Sequence, residues 1–307
     1  MIKLIKKFIS YQKSINSDTN FSIGIATTSD NFDIPYFSFP REIEGWGYYF
    51  HCIFPNSDEA TKTIANFHDL FDTIFIDVED KNPNFISQKI INKNKNIAFK
   101  KIYPNKTTVK ATLDLIEEHI NRNIFLFGHG SIARELALNL LYNKVSFNWQ
   151  ESRVSKSKNY KKMVERFGSE HKTFNKNFHN FIVNCCPNRS KYLDLICKNN
   201  DLNIIDVTGK YPFKDIPKER VRSIDVSSRI CHEVAYYLQP NKYYKGYGKA
   251  SINNINIVSG GYPGLKGDLI VDNYHKPTYI IGVSNGKGGF EKRINAPYDE
   301  IKLKKTQ

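Results

Sequence analysis

The chain has 307 residues, of which 40% are apolar and 13% aromatic, enough to fill the cores of two domains and too much for a disordered chain. With 45 Lys and Arg against 31 Asp and Glu the net charge is +14, yet the lysines are scattered among asparagines and form no Arg-rich block or aromatic-basic motif. Nucleic acid is therefore not an expected partner, while small anions are drawn to such a surface.

No run approaches the roughly 20 uninterrupted apolar residues needed to span a bilayer, so no membrane partner is expected. The start, MIKLIKKFISYQKSI, mixes basic with apolar residues and predicts an amphipathic helix with Ile2, Ile5 and Ile9 on one side, instead of a secretory signal. The cysteines are Cys52, Cys185, Cys186, Cys197 and Cys231. An odd count without a CxxC pair argues for reduced thiols in the cytoplasm and against a disulfide frame or zinc cluster.

Phe21 to Thr27 (FSIGIAT) reads as the first strand, and HCIF at His51 to Phe54 as the second. The aromatic stretch from Tyr36 to Phe54 either packs a small domain or lines a substrate pocket, and packing is favoured. Ser57 to Phe71 predicts a helix capped by Ser57 or Asp58, with Ile64, Phe67, Leu70 and Phe71 at helical spacing. Thr73 to Val78 (TIFIDV) is a buried strand, Asn84 to Ile91 a helix and Asn96 to Ile102 a further strand. This alternation predicts a small parallel or mixed α/β domain over 1–105. Lys106 to Ile120 then predicts a long amphipathic helix, over 106–121, joining it to a second domain.

The most informative stretch follows, NIFLFGHGSIARELALNLL from Asn123 to Leu141. Ile124 to Phe127 reads as a buried strand, Gly128 to Ala133 spells G-x-G-x-x-A, and Leu136, Leu140 and Leu141 recur at helical spacing. A dinucleotide site needs this order. Gly128 permits the tight turn, Gly130 lets a pyrophosphate approach the backbone, and Ala133 lets helix and strand pack closely. His129, Ser131 and Ile132 complete the turn, and the helix start offers N–H donors and a positive dipole end to phosphates. Val145 to Gln150 is the next strand. Glu151, about 20 residues beyond the glycines, would take a ribose 2′-hydroxyl and signal NAD, whereas Ser152, Arg153 and Lys156 would hold a 2′-phosphate. The cationic and hydroxyl groups outweigh one carboxylate, so the expected cofactor is NADP, with NAD the alternative.

Tyr160 to Phe167 and Tyr192 to Lys198 predict helices. Phe178 to Asn184 predicts a strand running into Cys185, Cys186 and Pro187, and Asn203 to Val207 one ending at Thr208. Val221 to Val226 adds a further strand and Ser228 to Leu238 an amphipathic helix, followed by a Tyr, Lys and Gly-rich loop from Gln239 to Lys249. Asn256 to Ser259, Gly267 to Asp272 and Thr278 to Val283 are short strands between turn clusters, and DEIKLKKTQ is read as a solvated tail. The expected fold is α/β: the small N-terminal α/β domain, then a Rossmann-type doubly wound parallel sheet over 122–250, with a short β appendage in 251–307.

The order of elements resembles the shikimate dehydrogenase and methylene-tetrahydropterin dehydrogenase families. The likeness runs from Phe75 to Thr208 and rests on the linking helix opening K-T-T, the glycine turn, a strand ending in N-x-x-P and a strand ending in D-V-T. It implies a nicotinamide in a cleft between the domains, flanked by Cys185, Cys186 and Pro187 on one strand end and by Val207 and Thr208 on another. Lys106 matches the position of a lysine in the methylene-tetrahydromethanopterin branch. The N-V-T-x-P-x-K and N-T-D segments of shikimate dehydrogenases and the Y-x-x-x-K of folate dehydrogenases are missing, so the likeness implies a scaffold and a cofactor and leaves the substrate open.

Hydride transfer needs one acid/base group in the cleft. Lys106 and Asp77 are the candidates from the first-domain strand ends: Lys106 to donate to or polarise the substrate heteroatom, Asp77 to orient it. A helix cap or solvated strand end competes with the catalytic reading of Asp77. His129 reads as a cofactor contact or bystander. The histidines show no HExxH or i, i+4 pair, so no metal is expected. No partner histidine is identifiable for Cys185 and Cys186, and G-x-S-x-G is absent. The expectation is an NAD(P)-dependent oxidoreductase acting on a small polar, anionic metabolite, with a homodimer left open. Rival readings are a non-redox enzyme retaining NAD(P), an inactive dinucleotide-binding sensor or binding protein, and a methyltransferase; the last lacks its acidic residue before the glycines, where Leu126 and Phe127 stand.

Overall fold

The computed structural model describes residues 2–28, 32–38, 40–43, 45–117, 123–128, 130–150, 179, 181–186, 202–208, 216, 220–224, 226–240, 248–259, 264–285 and 290–299. The fold is α/β and divides into two units, Met1–Pro104 with Tyr237–Gln239, and Asn105–Tyr236 with Pro240–Gln307. The helices expected over 160–167 and 192–198, most of the 239–249 loop and the tail from 300 onward lie outside the described residues. Among those described, no helix is long and apolar enough to cross a membrane.

In the first unit the strands are β1 (Asn20–Ala26), β2 (Tyr36–Phe37), β3 (Arg41–Ile43), β4 (Gly47–Ile53), β5 (Thr73–Asp77) and β6 (Phe99–Ile102). Their order is β2-β4-β1-β5-β6, with β3 also on β4. The core four are parallel, while β2 and β3 are antiparallel to β4. From β1 the chain goes to β4 on one side and then to β5 on the other, so the winding reverses between β1 and β5.

One face of this sheet is apolar for a simple reason: Phe21, Ile23 and Ile25 alternate along β1, matched by Phe50 and Cys52 on β4 and by Ile74 and Ile76 on β5. Three helices cover it, α1 (Ile2–Ile15), α2 (Ser57–Ala65) and α3 (Ser87–Lys93). They contribute Ile5 and Ile9, Ala60 and Ile64, and Ile90 to one core, each large side chain stabilising the fold by about 1.5–3 kcal/mol. The intervening residues Ser22, Gly24, Tyr49, His51, Phe75 and Asp77 belong to the opposite face.

The aromatic stretch is not all loop. Arg41–Ile43 and Gly47–Ile53 form a hairpin, closed by the Trp46 N–H donating to the Ile43 carbonyl at 3.0 Å. Phe50 and Phe54 are fully buried, as packing requires. The cap of α2 is Asn56, whose side-chain oxygen accepts from the Glu59 N–H at 2.9 Å. Ser57 instead serves a distant loop, accepting from the Ile86 N–H at 2.6 Å. The helix also ends earlier than its apolar spacing suggests, at Ala65, because Asn66 closes it and a 3-10 turn at His68–Leu70 carries the chain on.

The second unit opens with α4 (Pro104–Glu117), followed by β7 (Ile124–Phe127), α5 (Ser131–Tyr142), β8 (Phe147–Gln150), β9 (Phe181–Asn184), β10 (Asn203–Asp206), β11 (Val221–Ser223) and α6 (Val226–Leu238). The five strands are parallel in the order β11-β10-β9-β7-β8, so the winding reverses between β7 and β9. All four residues of β7 and of β9 are buried, as befits a parallel sheet covered on both faces. Ile124, Leu126, Phe181 and Val183 pack with Leu136, Ala137 and Leu140 of α5 and Leu115 and Ile116 of α4, while Phe125, Phe127, Ile182 and Ile204 form a second cluster.

The C-terminal segment is a five-stranded sheet of β12 (Gly248–Ile252), β13 (Ile255–Ser259), β14 (Lys266–Val271), β15 (Tyr279–Asn285) and β16 (Phe290–Pro297). Asn253 and Asn254, both with positive φ (50° and 62°), join β12 and β13. That is the backbone twist a two-residue hairpin loop requires. Val258 enters the same core as Leu126 and Trp149, which ties this sheet to the second unit.

Candidate functional site

The three small residues of the Gly128 to Ala133 turn occupy three different environments. Gly128 has φ +131°, which side chains rarely adopt, and a Cβ there would stand 3.0 Å from the Cys185 carbonyl carbon. Backbone and neighbour both demand glycine. Gly130 is the N-cap of α5 with φ −69° and ψ 178°, ordinary for any residue, and a Cβ there would meet nothing within 4 Å. No described residue around it requires glycine, and none stands beside its backbone. Ala133 is 0% exposed, seated where α5 meets the sheet. Gly130 gives α5 no side-chain cap, and no acidic residue lies in its first turn to offset the positive helix end. Ser131 is exposed and Ile132 packs partly against the core.

This turn lies at the carboxyl edge of the parallel sheet, at the reversal between β7 and β9, where open α/β sheets hold their ligands. Pairing continues one residue past the strands: the Cys185 N–H donates to the Phe127 carbonyl at 2.7 Å and the Val207 N–H to the Asn184 carbonyl at 2.9 Å. Gly128, Cys185 and Val207 thus stand side by side on three adjacent strand ends, each one residue beyond the matched row Phe127, Asn184 and Asp206. The expected cofactor residues Gly128, Gly130, Ser131, Ile132, Ala133, Cys185, Cys186, Val207 and Thr208 are among the described residues. His129, Glu151, Ser152, Arg153, Lys156 and Pro187 lie outside them.

Beneath that row is a polar network that residue-type reasoning missed. The Asn184 amide donates to Asp206 Oδ1 at 2.9 Å and accepts from the Cys186 N–H at 3.1 Å. Thr208 adds its N–H at 3.3 Å and its hydroxyl at 2.8 Å to the same Asp206 oxygen. On the other side the Trp149 indole N–H donates to the Gly128 carbonyl at 2.7 Å and so fixes the plane of the turn. Asn184 and Asp206 were visible only as letters of the N-x-x-P and D-V-T strings; Trp149 gave no signal beyond an aromatic residue in a strand.

The Cys185 thiol is pushed far up from its ordinary range, first by burial, then by the Asp206 carboxylate and Cys186. It stays protonated at neutral pH and is no nucleophile. Lys106 is exposed in the first turn of α4. The side-chain amide of its neighbour Asn105 donates to the Ser131 hydroxyl at 3.4 Å, which sets the start of α4 beside the start of α5. Thr107 donates to the Glu233 carboxylate of α6.

Asp77 belongs to the first unit, at the end of β5 and at that sheet's own winding reversal. It is 1% exposed, and burial raises its carboxyl above the usual range, opposed by Lys81. Oδ1 accepts from the Glu79 N–H at 2.9 Å, Oδ2 has no hydrogen-bond partner, and the Lys81 ammonium stands 3.8 Å from it. On the same face the Tyr49 hydroxyl and His51 Nδ1 are 3.0 Å apart. Burial, then the charges of Lys81 and Arg41, hold the His51 imidazole down to about 4, so it is neutral at physiological pH.

Among the described residues no group of three or more His, Cys, Asp or Glu side chains is arranged to hold a metal ion. No family model matches the chain, and no curated protein matches it.

Proposed function

We propose that this chain binds a nicotinamide dinucleotide at the turn from Gly128 to Ala133 and acts as an NAD(P)-dependent oxidoreductase on a small polar, anionic metabolite. The observation that carries the reading is the contrast between its two glycines. Gly128 is required by its backbone and by Cys185, whereas the fold asks nothing of Gly130, whose missing side chain leaves room beside an uncapped helix start. That is the accommodation a pyrophosphate needs, with the N–H groups of the first turn of α5 as donors. A Rossmann arrangement, and the distant likeness to shikimate and methylene-tetrahydropterin dehydrogenases, belong to the same proposal.

In this reading Val207, Thr208, Cys185 and Cys186 border the nicotinamide, and Glu151, Ser152, Arg153 and Lys156 choose between NAD and NADP in favour of NADP. The bound nicotinamide supplies or accepts a hydride. Lys106 would donate a proton or hydrogen bond to the substrate heteroatom. Cys185, held protonated, adds a weakly polar wall and no competing nucleophile.

Calorimetric titration of the intact protein tests the proposal. NADPH is expected to bind at micromolar concentration and NADH more weakly, and Arg153→Ala is expected to narrow that gap. Binding of S-adenosylmethionine with neither nicotinamide would overturn the oxidoreductase reading.

A further inference from the structure

Among the described residues three buried aspartates stand at or just past strand ends, and two of them are fully engaged. Asp206 Oδ1 receives three donors, from Asn184 and from the N–H and hydroxyl of Thr208. Asp272 receives the N–H and hydroxyl of Thr278 and the N–H of Tyr279. Asp77 is equally buried and receives one, at Oδ1, while Oδ2 receives none. A buried carboxylate oxygen without a donor is costly and needs a reason.

Lys81 gives that oxygen a long ion pair but no hydrogen bond. Its ammonium stays at 3.8 Å, beyond hydrogen-bond distance, on a side chain 29% exposed. The location is the carboxyl edge of a parallel sheet at the reversal between β1 and β5, the general place for ligands in such sheets. On the central strand the neighbouring face is buried, with the Tyr49 side chain seated over Gly24. Gly24 lies in register between His51 and Phe75, and a Cβ there would stand 2.0 Å from the Tyr49 hydroxyl, so the absent side chain makes room for the Tyr49 and His51 pair.

We propose that the first unit holds a small-molecule site of its own, in which Asp77 Oδ2 accepts a hydrogen bond from a hydroxyl or ammonium group and Lys81 pairs with a carboxylate on the neighbouring carbon of the same ligand. The ligand class is thus a small 2-hydroxy or 2-amino acid. The ligand's donor supplies the hydrogen bond that Asp77 Oδ2 lacks, and its carboxylate gives Lys81 a closer partner than Asp77 at 3.8 Å. The site takes the residue expected to orient the oxidoreductase's substrate, but it can fail or hold apart from dinucleotide binding, because none of its residues belongs to the glycine turn.

Calorimetry on the intact protein with glycolate, glycine and acetate is the test. Glycolate or glycine is expected to bind at least tenfold tighter than acetate, about 1.4 kcal/mol, the tighter of the two identifying the donor. Asp77→Asn is expected to erase that preference. The Glu79 N–H holds the amide oxygen at the Oδ1 position, so the variant turns an NH2 donor towards the ligand donor. Lys81→Met, at a partly exposed side chain, is expected to weaken all three acids by a similar factor while the preference survives, and it reads out the site even if Asp77→Asn fails to fold. Equal affinity for the three acids, a preference unchanged in Asp77→Asn, or no saturable binding of any of them would overturn the proposal.

Discussion

The Asn184 carboxamide donates to the Asp206 carboxylate at 2.9 Å, with both residues 0% exposed at the ends of adjacent strands. The pair joins β9 to β10 below the row formed by Gly128, Cys185 and Val207, and so sets the level of that row. Asn184→Ala would leave the Cys186 N–H and part of the Asp206 carboxylate without partners. We expect a loss of about 2–4 kcal/mol in urea unfolding. Thr208→Val, at a partly exposed position, should cost less than half of that.

The two glycines of the turn should respond differently to the same change. Gly128→Ala is strained by φ +131° and by Cys185 3.0 Å away, and should lower stability by about 1–3 kcal/mol. Gly130→Ala should lower stability by no more than about 1 kcal/mol, the cost of alanine at an N-cap, because the added methyl meets no atom of the described residues. It should nevertheless weaken NADPH binding at least tenfold, about 1.4 kcal/mol. A Gly130→Ala variant that binds NADPH like the wild type would remove the turn from the binding site.

Lys106 separates binding from chemistry. It is exposed, so Lys106→Ala should unfold within about 0.5 kcal/mol of the wild type and keep its NADPH affinity. Turnover with whatever metabolite the protein reduces or oxidises should fall by about two to four orders of magnitude, the usual size of a lost general acid. Unchanged turnover would clear Lys106 of a chemical role.

Acid should weaken the first unit through His51. The unfolded imidazole takes up its proton around pH 6.5, the folded one only at about 4. The stability it contributes is therefore present above pH 6.5 and lost as pH falls through that window. Asp77 works in the opposite direction: its raised carboxyl favours the folded state at low pH, and that contribution is lost as pH rises through the raised value. Comparison with His51→Asn isolates the histidine. Between pH 7 and pH 4 the wild type should lose on the order of 2–3 kcal/mol more than the variant, measured by urea unfolding at each pH.

Continuous apolar runs such as IFLF and alternations such as FSIGIA placed the strands of both parallel sheets, and helical spacing placed α1, α4 and α5, because these signals are local and the period of burial is written in the chain. Edge strands were harder. Tyr36–Phe37 and Arg41–Ile43 are short and half exposed, and β12 was not expected: Gly248 and Lys249 read as the end of a loop, and the hairpin at Asn253 and Asn254 depends on a backbone twist that the letters do not carry.

By itself the amino-acid sequence determined the α/β alternation, the glycine turn after β7 and the candidates Lys106 and Asp77, since each follows from residue type and spacing along one segment. Tertiary structure alone decided that Asn184 meets Asp206, that Trp149 pins Gly128, that Cys185 is the neighbour forbidding a side chain at Gly128, and that Asp77 is left one donor short. Those facts join residues tens of positions apart. Whether a buried oxygen finds a partner depends on which strands become neighbours, and strand order is settled by the packing of whole layers.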